Sequence, residues 1–286
     1  MTTSRIFRIG GELEVHRLGF GSMRLTGRGI WGPPEDPAEC RTVLRRAVEL
    51  GVDLIDTADS YGPYVAEELI GDTLGDRDDV VIATKAGLTR VAPDIGLGPA
   101  AWPPVGRPEY LRQECEMSLR RLRRDVIDLW QLHRIDPNVP AEDQFGVLRD
   151  MQSEGKVRFV GLSQVSVPQI EAARKIVQIV SVQNRYHLGD RASEEVLRYC
   201  EAHDIAFLPW APLAQGRLSA EGPLATIAQE RGEAVGTIAL AWLLAHSENL
   251  LPIPGTSRVA HLEQNMRAAN IELTPVEMAA IEEGIQ

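Results

Sequence analysis

The sequence predicts an α/β fold, a (β/α)8 TIM barrel that carries an N-terminal β-hairpin. Short apolar runs alternate with helical patterns eight times along the chain, which is typical of strands joined by crossover helices. The runs are continuous in apolar residues, as in the strands of a parallel sheet that is buried on both faces. A length of 286 residues favours the closed barrel, and an open doubly wound sheet with the same alternation is the alternative.

A β-hairpin is predicted over residues 7–15, because Gly10 and Gly11 stand at the centre of this stretch. The eight strand runs that follow are 17–21, 52–56, 80–84, 126–132, 157–163, 179–183, 205–210 and 250–254. A last helix is expected to begin near 274–275, and helical patterns are found at about 36–50, 65–74, 108–122, 141–154, 167–175, 192–202, 237–245 and 259–268. Their apolar residues recur at spacings of three and four. No linker or composition shift divides the chain, so we expect residues 1–286 to form one domain.

Composition and charge exclude several classes of protein. The 30 basic and 41 acidic residues give a net charge of −11, so a nucleic-acid partner is not expected. The three cysteines, Cys40, Cys115 and Cys200, stand far apart without a CxxC motif, which predicts neither a disulfide framework nor a zinc site. There is no apolar run of about 18 residues and no signal-peptide pattern, so we expect a cytoplasmic protein without a membrane partner.

Two connections are longer than those that usually join strands and helices in a barrel. Residues 21–37 contain Trp31, and residues 86–106 contain Trp102 together with four prolines and four glycines. Both follow predicted strands, on the face where a barrel places its active site. They are candidate substrate loops, with Trp31 and Trp102 as the expected substrate-binding residues. The alternative is that they are surface loops without a function.

Polar or aromatic residues stand at the ends of most predicted strands. They are Asp56, Lys85, His133, Ser163, Gln183 and Trp210, and residues 255–258 follow the eighth run. Tyr61 follows Asp56 in the sequence DTADSYG. The carboxyl ends of the strands of a barrel meet at one mouth, so we expect these residues to lie close together there, where polar side chains are typical of an active site.

Each of these residues also has an ordinary structural interpretation when it is taken alone. Asp56 could cap a turn or a helix, His133 could be a hydrogen-bonded core histidine, and Tyr61 could serve only in packing. Lys85 is harder to explain, because a buried ammonium needs a partner. Asp56 on the neighbouring strand can supply that partner. Together the four residues favour a catalytic site.

Seven motifs occur in an order that resembles the aldo-keto reductase family over residues 6 to about 284. They are GVDLIDTADSYG (51–62), VVIATKAG (80–87), DVIDLWQLHR (125–134), VRFVGLSQ (157–164), VQNRY (182–186), LPWAPLAQGRL (208–218) and IPGTSRVAHLEQN (253–265). The loop IWGPP (30–34) is also similar to bacterial short-tailed members that include enzymes of the pyridoxal reductase type. The resemblance implies an enzyme that transfers hydride between a nicotinamide and a carbonyl.

The same resemblance implies that Asp56, Tyr61, Lys85 and His133 are catalytic. Tyr61 would donate a proton to the carbonyl oxygen as hydride reaches the carbonyl carbon. Free tyrosine has a pKa of about 10, and we expect the Lys85 ammonium, held by Asp56, to lower it. His133 would hydrogen-bond to the carbonyl oxygen. The cofactor supplies the hydride, so no metal is expected.

The cofactor that the resemblance implies is NADPH, preferred over NADH. Ser163, Gln164 and Gln183 are similar to residues that bind the nicotinamide carboxamide, although the family usually has Asn where Gln164 stands. Trp210 is similar to the residue that stacks on the nicotinamide, and it could instead be a core residue. Further cofactor contacts are expected from Pro212, Leu213, Gly255, Thr256, Arg258, Gln264 and Asn265. There is no GxGxxG motif, so the phosphates are expected at the turn 255–258, where Arg258 can bind the 2′-phosphate.

The sequence leaves other functions open. The leading hypothesis is an NADPH-dependent carbonyl reductase with a small-molecule aldehyde or ketone as substrate, and a pyridoxal reductase is its more specific form. A cofactor-binding regulatory subunit is a second class, against which the intact set of four catalytic residues argues. A barrel enzyme that forms a Schiff base at Lys85 is a third. The sequence predicts neither the natural substrate nor the oligomeric state.

Overall fold

The structure, a computed structural model, describes residues 5–218 and 221–284. An antiparallel hairpin comes first, and seven parallel strands follow in one sheet whose spatial order equals their order in the chain. The hairpin strands are β1 (Ile6–Ile9) and β2 (Leu13–His16), and the sheet strands are β3 (Phe20–Gly21), β4 (Leu54–Asp56), β5 (Val81–Ala86), β6 (Ile127–Leu132), β7 (Val157–Ser163), β8 (Ile179–Gln183) and β9 (Ala206–Phe207). The predicted α/β fold with an N-terminal hairpin is confirmed.

The eighth predicted run, 250–254, closes the sheet through backbone hydrogen bonds although it is not a regular strand. On one side the Leu251 N–H donates to the carbonyl oxygen of Phe207 in β9 at 2.9 Å. On the other side the Gly19 N–H, just before β3, donates to the carbonyl oxygen of Pro252 at 3.0 Å. Proline has no N–H to donate, so a regular ladder cannot form here and the closure is made mostly by carbonyl groups of this run.

Helices connect the strands on the outside of the sheet. They are α1 (Pro37–Glu49), α2 (Val65–Leu74), α3 (Pro108–Leu122), α4 (Ala141–Ser153), α5 (Val167–Arg174), α6 (Glu194–Ala202), α7 (Pro223–Arg231), α8 (Val235–His246), α9 (Val259–Arg267) and α10 (Pro275–Glu283). The helix α7 is absent from the sequence prediction, because only Ile227 and Ala228 of it are buried and its apolar periodicity is weak. The other predicted helices agree with the structure to within two residues at each end.

The hairpin covers the end of the barrel at which the strands begin. Ile9, Leu13 and Val15 are buried in one apolar cluster with side chains from inside the barrel, among them Leu129 and Phe159. The cluster fills the amino-terminal half of the interior, and water is excluded from it. The opposite half of the interior holds the polar strand ends.

Strand alternation directs the Lys85 side chain of β5 into the barrel and that of Thr84 away from it. Val81 and Ala83 belong to the interior cluster, whereas Ile82 packs against α1 and α2 and Thr84 bonds to Glu67 on α2. Because successive side chains of a strand point to opposite faces, Lys85 lies on the same interior face as Val81 and Ala83. The apolar strand therefore carries its one lysine into the barrel.

A bulge changes the direction in which the last side chains of β8 point. Val160 pairs with Ile179 and the next residue of β7, Gly161, pairs with Ser181, so Val180 is an extra residue in β8. Val180 packs in the interior cluster, and Ser181 also faces the interior, where its Oγ donates to Gln131. This shift places the side chain of Gln183, the last residue of β8, inside the barrel.

Candidate active site

A buried ion pair lies at the carboxyl ends of β4 and β5. The Lys85 ammonium is 2.8 Å from both carboxylate oxygens of Asp56 and 2.6 Å from the carbonyl oxygen of Thr57. The side chains of Lys85 and Asp56 are 0% and 3% exposed. Burial lowers the pKa of Lys85, but Asp56 and Tyr61 together outweigh burial and raise it. The expected partner is present, and the lysine stays charged.

Two glutamines complete the surroundings of the Asp56 carboxylate. Gln183 Nε2 donates to Asp56 Oδ1 at 2.8 Å, and Gln131 Nε2 donates to the same oxygen at 3.4 Å. Ser181 Oγ donates to Gln131 Oε1 at 3.4 Å. These donors hold the orientation of the carboxylate toward Lys85. Sequence reasoning missed Gln131, although a polar residue two positions before a strand-end histidine is a usable signal for an interior contact.

Tyr61 lies beside this pair. The centroid of its ring is 5.2 Å from Lys85 Nζ and 6.0 Å from the centroid of the His133 ring, which it meets edge-on. Burial raises the pKa of Tyr61, and the opposing effect of the Lys85 ammonium is smaller. The expectation that Lys85 lowers this pKa below that of free tyrosine is therefore wrong. Desolvation of the phenolate is the larger effect, and the phenol stays protonated.

His133 lies beside the Tyr61 ring and is buried. Its Nδ1 is 3.4 Å from Ser60 Oγ, and its backbone N–H donates to the Ala86 carbonyl oxygen at 2.8 Å. Burial lowers the pKa of His133 well below its usual value, and the Lys85 ammonium acts in the same direction. The imidazole is therefore neutral at physiological pH and can donate one N–H.

Arg134 is a charged residue of the site that sequence reasoning missed. Its Nη1 donates to Ser163 Oγ at 3.1 Å and to the His133 carbonyl oxygen at 2.5 Å. Burial lowers the pKa of Arg134, and its charge contributes to the low pKa of His133. The signal for it was its place as the last residue of the motif DVIDLWQLHR.

The residues expected to bind a nicotinamide lie together. Ser163 pairs in register with Gln183, and the Gln164 N–H donates to the Gln183 carbonyl oxygen at 3.0 Å. The Trp210 indole donates its Nε1–H to Gln164 Oε1 at 2.9 Å. Gln164 has a φ of 55°, a left-handed conformation that Asn adopts more readily than Gln.

The loop that follows β9 is strained. Ala211, Ala214 and Gln215 have φ values of 55°, 49° and 57°, which residues with a Cβ rarely adopt. Pro212 is buried and Leu213 is half-buried in the same loop. Strained backbone concentrates at ligand-binding sites, because the surrounding structure must maintain it against its cost. A ligand-binding role for Pro212 and Leu213 is consistent with this backbone.

The turn before α9 lies close to the first strand. A Cβ on Gly255 would be 2.4 Å from the carbonyl oxygen of Gly21, so only glycine fits at this approach. Thr256 Oγ1 accepts a hydrogen bond from the Arg258 N–H at 3.1 Å, which shapes the turn just before the helix. The Arg258 side chain is exposed.

The N-terminus of α9 already has an acidic neighbour. The Val259 N–H, the first of the helix, donates to Glu39 Oε1 on α1 at 3.3 Å. A carboxylate at this position satisfies a helix N–H and occupies the place expected for a phosphate. Farther along the helix Asn265 is buried and Gln264 is exposed. Sequence reasoning missed Glu39, because it is remote in the chain and carries no motif.

Both long loops reach the site. Trp31 forms a bridge with Gly62, the residue after Tyr61, and is 36% exposed. Trp102 packs against the small apolar cluster around Tyr61 and donates its Nε1–H to Asp94 Oδ2 at 2.9 Å. The structure thus brings both candidate substrate residues near the tyrosine, with Trp31 the more exposed of the two.

The part of the chain that the structure describes contains no group of three or more His, Cys, Asp or Glu side chains that could hold a metal ion. Cys40, Cys115 and Cys200 are buried free thiols. Within residues 5–218 and 221–284, no helix is long and apolar enough to cross a membrane.

The fold and the strand-end site define the class of protein, an oxidoreductase built on a TIM barrel. Residues 17–286 match the model of the aldo/keto reductase family, beginning directly after the hairpin. The chain belongs to this family.

Three relatives show how far the similarity extends. An uncharacterized oxidoreductase of Schizosaccharomyces pombe is 48% identical over 274 residues, which are 96% of this chain and 88% of the relative. Pyridoxine 4-dehydrogenase of Escherichia coli is 39% identical over 279 residues, 95% of each chain. An aldo-keto reductase of Klebsiella pneumoniae, solved in complex with NADPH, superimposes with a TM-score of 0.82 at 28% identity and covers 99% of this chain and 95% of its own.

Proposed function

We propose that this protein reduces an aldehyde or ketone to an alcohol by hydride transfer from NADPH, with Tyr61 as the general acid. The observation that carries the proposal is the buried ion pair of Asp56 and Lys85 beside a protonated phenol. A carbonyl oxygen near Tyr61 and the neutral His133 meets two uncharged donors in a site with little water.

The residues present fit a nicotinamide cofactor. The Ser163 hydroxyl and the amides of Gln164 and Gln183 supply the donors and acceptors that a carboxamide needs, and the Trp210 indole offers a flat surface to a ring. These residues would hold the nicotinamide close to Asp56, to which Gln183 is bonded. When bound, the cofactor supplies the hydride. The NADPH complex of the Klebsiella pneumoniae relative supports NADPH as the cofactor.

The proton and its charge are handled by residues of this chain. The proton leaves Tyr61 Oη for the carbonyl oxygen, which becomes the hydroxyl of the alcohol as the carbonyl carbon takes up hydride. The phenolate left behind lies beside the Lys85 ammonium, which stabilises it. Asp56 keeps that ammonium charged and oriented. In the reverse direction the same phenolate accepts the proton of the alcohol.

A steady-state assay tests the proposal. The protein is mixed with NADPH or NADH and with a panel of aldehydes and ketones, and the loss of reduced nicotinamide is followed by absorbance. We expect turnover of aldehydes with NADPH and slower turnover with NADH. Absence of turnover of every carbonyl with both cofactors would refute the proposal.

Cofactor selectivity is expected to depend on Arg258. The variant Arg258→Ala should weaken NADPH binding by roughly 1.5–3 kcal/mol, because it removes a charged hydrogen bond to the 2′-phosphate. NADH has no 2′-phosphate, so its affinity should stay nearly unchanged. Fluorescence titration with the two reduced cofactors measures both affinities.

A variant with the opposite expected effect serves as the control. Glu39→Gln removes a carboxylate bonded to the first N–H of α9 and should strengthen NADPH binding by about 0.3–1 kcal/mol. Glu39→Gln should change the NADH affinity only slightly. Equal losses of NADPH and NADH affinity in Arg258→Ala would show that Arg258 does not bind the 2′-phosphate.

The substrate class we propose is aromatic or heteroaromatic aldehydes, including pyridoxal-like ones. The exposed Trp31 ring beside Gly62 and the similarity to pyridoxine 4-dehydrogenase support it. Trp31→Ala should raise KM for an aromatic aldehyde while sparing propanal, because the substitution removes an apolar interaction of about 1–3 kcal/mol with the aromatic ring. Steady-state kinetics with benzaldehyde and propanal measure the difference.

Val126→Ala is the matched control for this substitution. Val126 is 44% exposed and precedes β6 at the opposite end of the barrel, so it should change neither KM. If Trp31→Ala raises the KM of benzaldehyde and propanal by the same factor, Trp31 does not contact the aromatic ring of the substrate.

A further inference from the structure

Arg90 belongs to the second long loop, reaches the backbone of the first, and is 8% exposed. Its guanidinium donates to four backbone carbonyl oxygens, those of Ile30 at 2.6 Å, Gly29 at 2.9 Å, Ser60 at 3.1 Å and Ala92 at 3.1 Å. These acceptors belong to three parts of the chain: the first loop, the turn that leads to the catalytic tyrosine, and the second loop. One side chain therefore joins all three.

The guanidinium also lies against two indole rings. Arg90 Cζ is 3.6 Å from the centroid of the Trp102 ring and 5.6 Å from that of the Trp31 ring. Aromatic faces attract a cation, most strongly where water is excluded. Carbonyl oxygens and aromatic faces thus compensate for the burial of this charge. We call Arg90 and its four carbonyl partners the Arg90 clamp.

The clamp holds a strained backbone next to the catalytic tyrosine. Ile30 has a φ of 55°, which a β-branched residue rarely adopts, and its carbonyl accepts the shortest bond from Arg90. The next residue, Trp31, forms a bridge with Gly62, and the Gly32 N–H donates to the Gly62 carbonyl oxygen at 2.6 Å. The position of Trp31 relative to the tyrosine turn therefore depends on the backbone that the clamp holds.

We propose that Arg90 is a positioning residue that joins the two loops into one rigid lid and thereby sets the preference for aromatic aldehydes. It acts through Trp31, whose ring it holds at the mouth of the barrel, and through the Ser60 carbonyl just before Tyr61. The substrate part of this inference rests on the proposed function. The mechanical part, that the loops are held together by Arg90, does not.

Two variants test the clamp. Arg90→Met keeps the apolar stem and removes every N–H, and Arg90→Lys keeps the charge but lacks the planar fork that reaches four carbonyls. We expect hydrogen exchange, measured by mass spectrometry, to become faster in residues 27–33 and 87–106 of both variants. We also expect KM for benzaldehyde to rise about tenfold, with KM for propanal within about twofold of the wild type. If Arg90→Met does not fold, the same measurements on Arg90→Lys alone test the proposal.

Arg17→Lys is the matched control, since Arg17 is also buried and also bonded to carbonyl oxygens, among them those of Leu244 and Leu250. It precedes β3 at the amino-terminal end of the barrel and should leave the ratio of the two KM values unchanged. Unchanged exchange in both loops would overturn the proposal, and so would an equal rise of both KM values. If the wild type reduces no carbonyl, the proposed function fails, and the exchange result still decides whether Arg90 joins the loops.

Discussion

Tyr61→Phe should lower kcat for aldehyde reduction by roughly a hundredfold or more, because the ring remains and the proton donor is removed. NADPH affinity should barely change, since the expected cofactor contacts lie on later strands. Steady-state kinetics with a good aldehyde, together with a fluorescence titration of NADPH, measure both quantities. Tyr64→Phe is the control: Tyr64 is 40% exposed, and its hydroxyl is not expected to take part.

The pH dependence of the wild type tests the same assignment. Burial raises the pKa of Tyr61, so the phenol should stay protonated at neutral and mildly alkaline pH. We expect kcat for reduction to be level there and to fall only above the ordinary tyrosine value of about 10. Alcohol oxidation needs the phenolate and should become faster as the pH rises. A near-normal reduction rate in Tyr61→Phe would show that another group is the acid.

Arg121→Met should destabilise the protein by about 3–5 kcal/mol, because it leaves buried carboxylates without their partner. Glu67 on α2 is fully buried, bonded to Arg121 Nε at 2.6 Å and to Thr84 Oγ1 at 2.5 Å. Arg121 also donates to Glu114 at 3.3 Å. The cluster joins α2 and α3 to β5 directly behind Lys85. Urea unfolding followed by circular dichroism measures the decrease in the free energy of unfolding.

An exposed ion pair provides the comparison. The side chains of Arg112 and Glu154 are 39% and 44% exposed, and their N–O distance is 2.6 Å. Arg112→Met should therefore lower the free energy of unfolding by less than about 1 kcal/mol. The double variant Glu67→Gln/Arg121→Met removes both charges of the buried pair. It should lower the free energy of unfolding by less than Arg121→Met alone. A destabilisation in Arg121→Met no larger than that in Arg112→Met would show that Glu67 does not depend on this partner.

The bounds of the longer buried strands could be predicted because these strands are continuous in apolar residues, whereas β3, β4 and β9 are shorter than the predicted runs 17–21, 52–56 and 205–210. The strands β7 and β8 coincide with the predicted runs 157–163 and 179–183, and α3 coincides with 108–122. One helix was missed and one predicted strand is not a regular strand. The helix α7 has little apolar periodicity, and the run 250–254 is apolar but contains two prolines that cannot donate to a ladder.

The barrel, its family and the residues at the strand ends follow from the sequence alone, because alternation and strand order bring those ends to one mouth. Only the tertiary structure decided what each residue meets there. The bulge at Val180 brought the Gln183 amide within hydrogen-bond distance of the Asp56 carboxylate. Burial raised the pKa of Tyr61 although the Lys85 ammonium lies beside it. The physical reason is that desolvation and bulge geometry depend on neighbours remote in the chain, which local sequence patterns do not record.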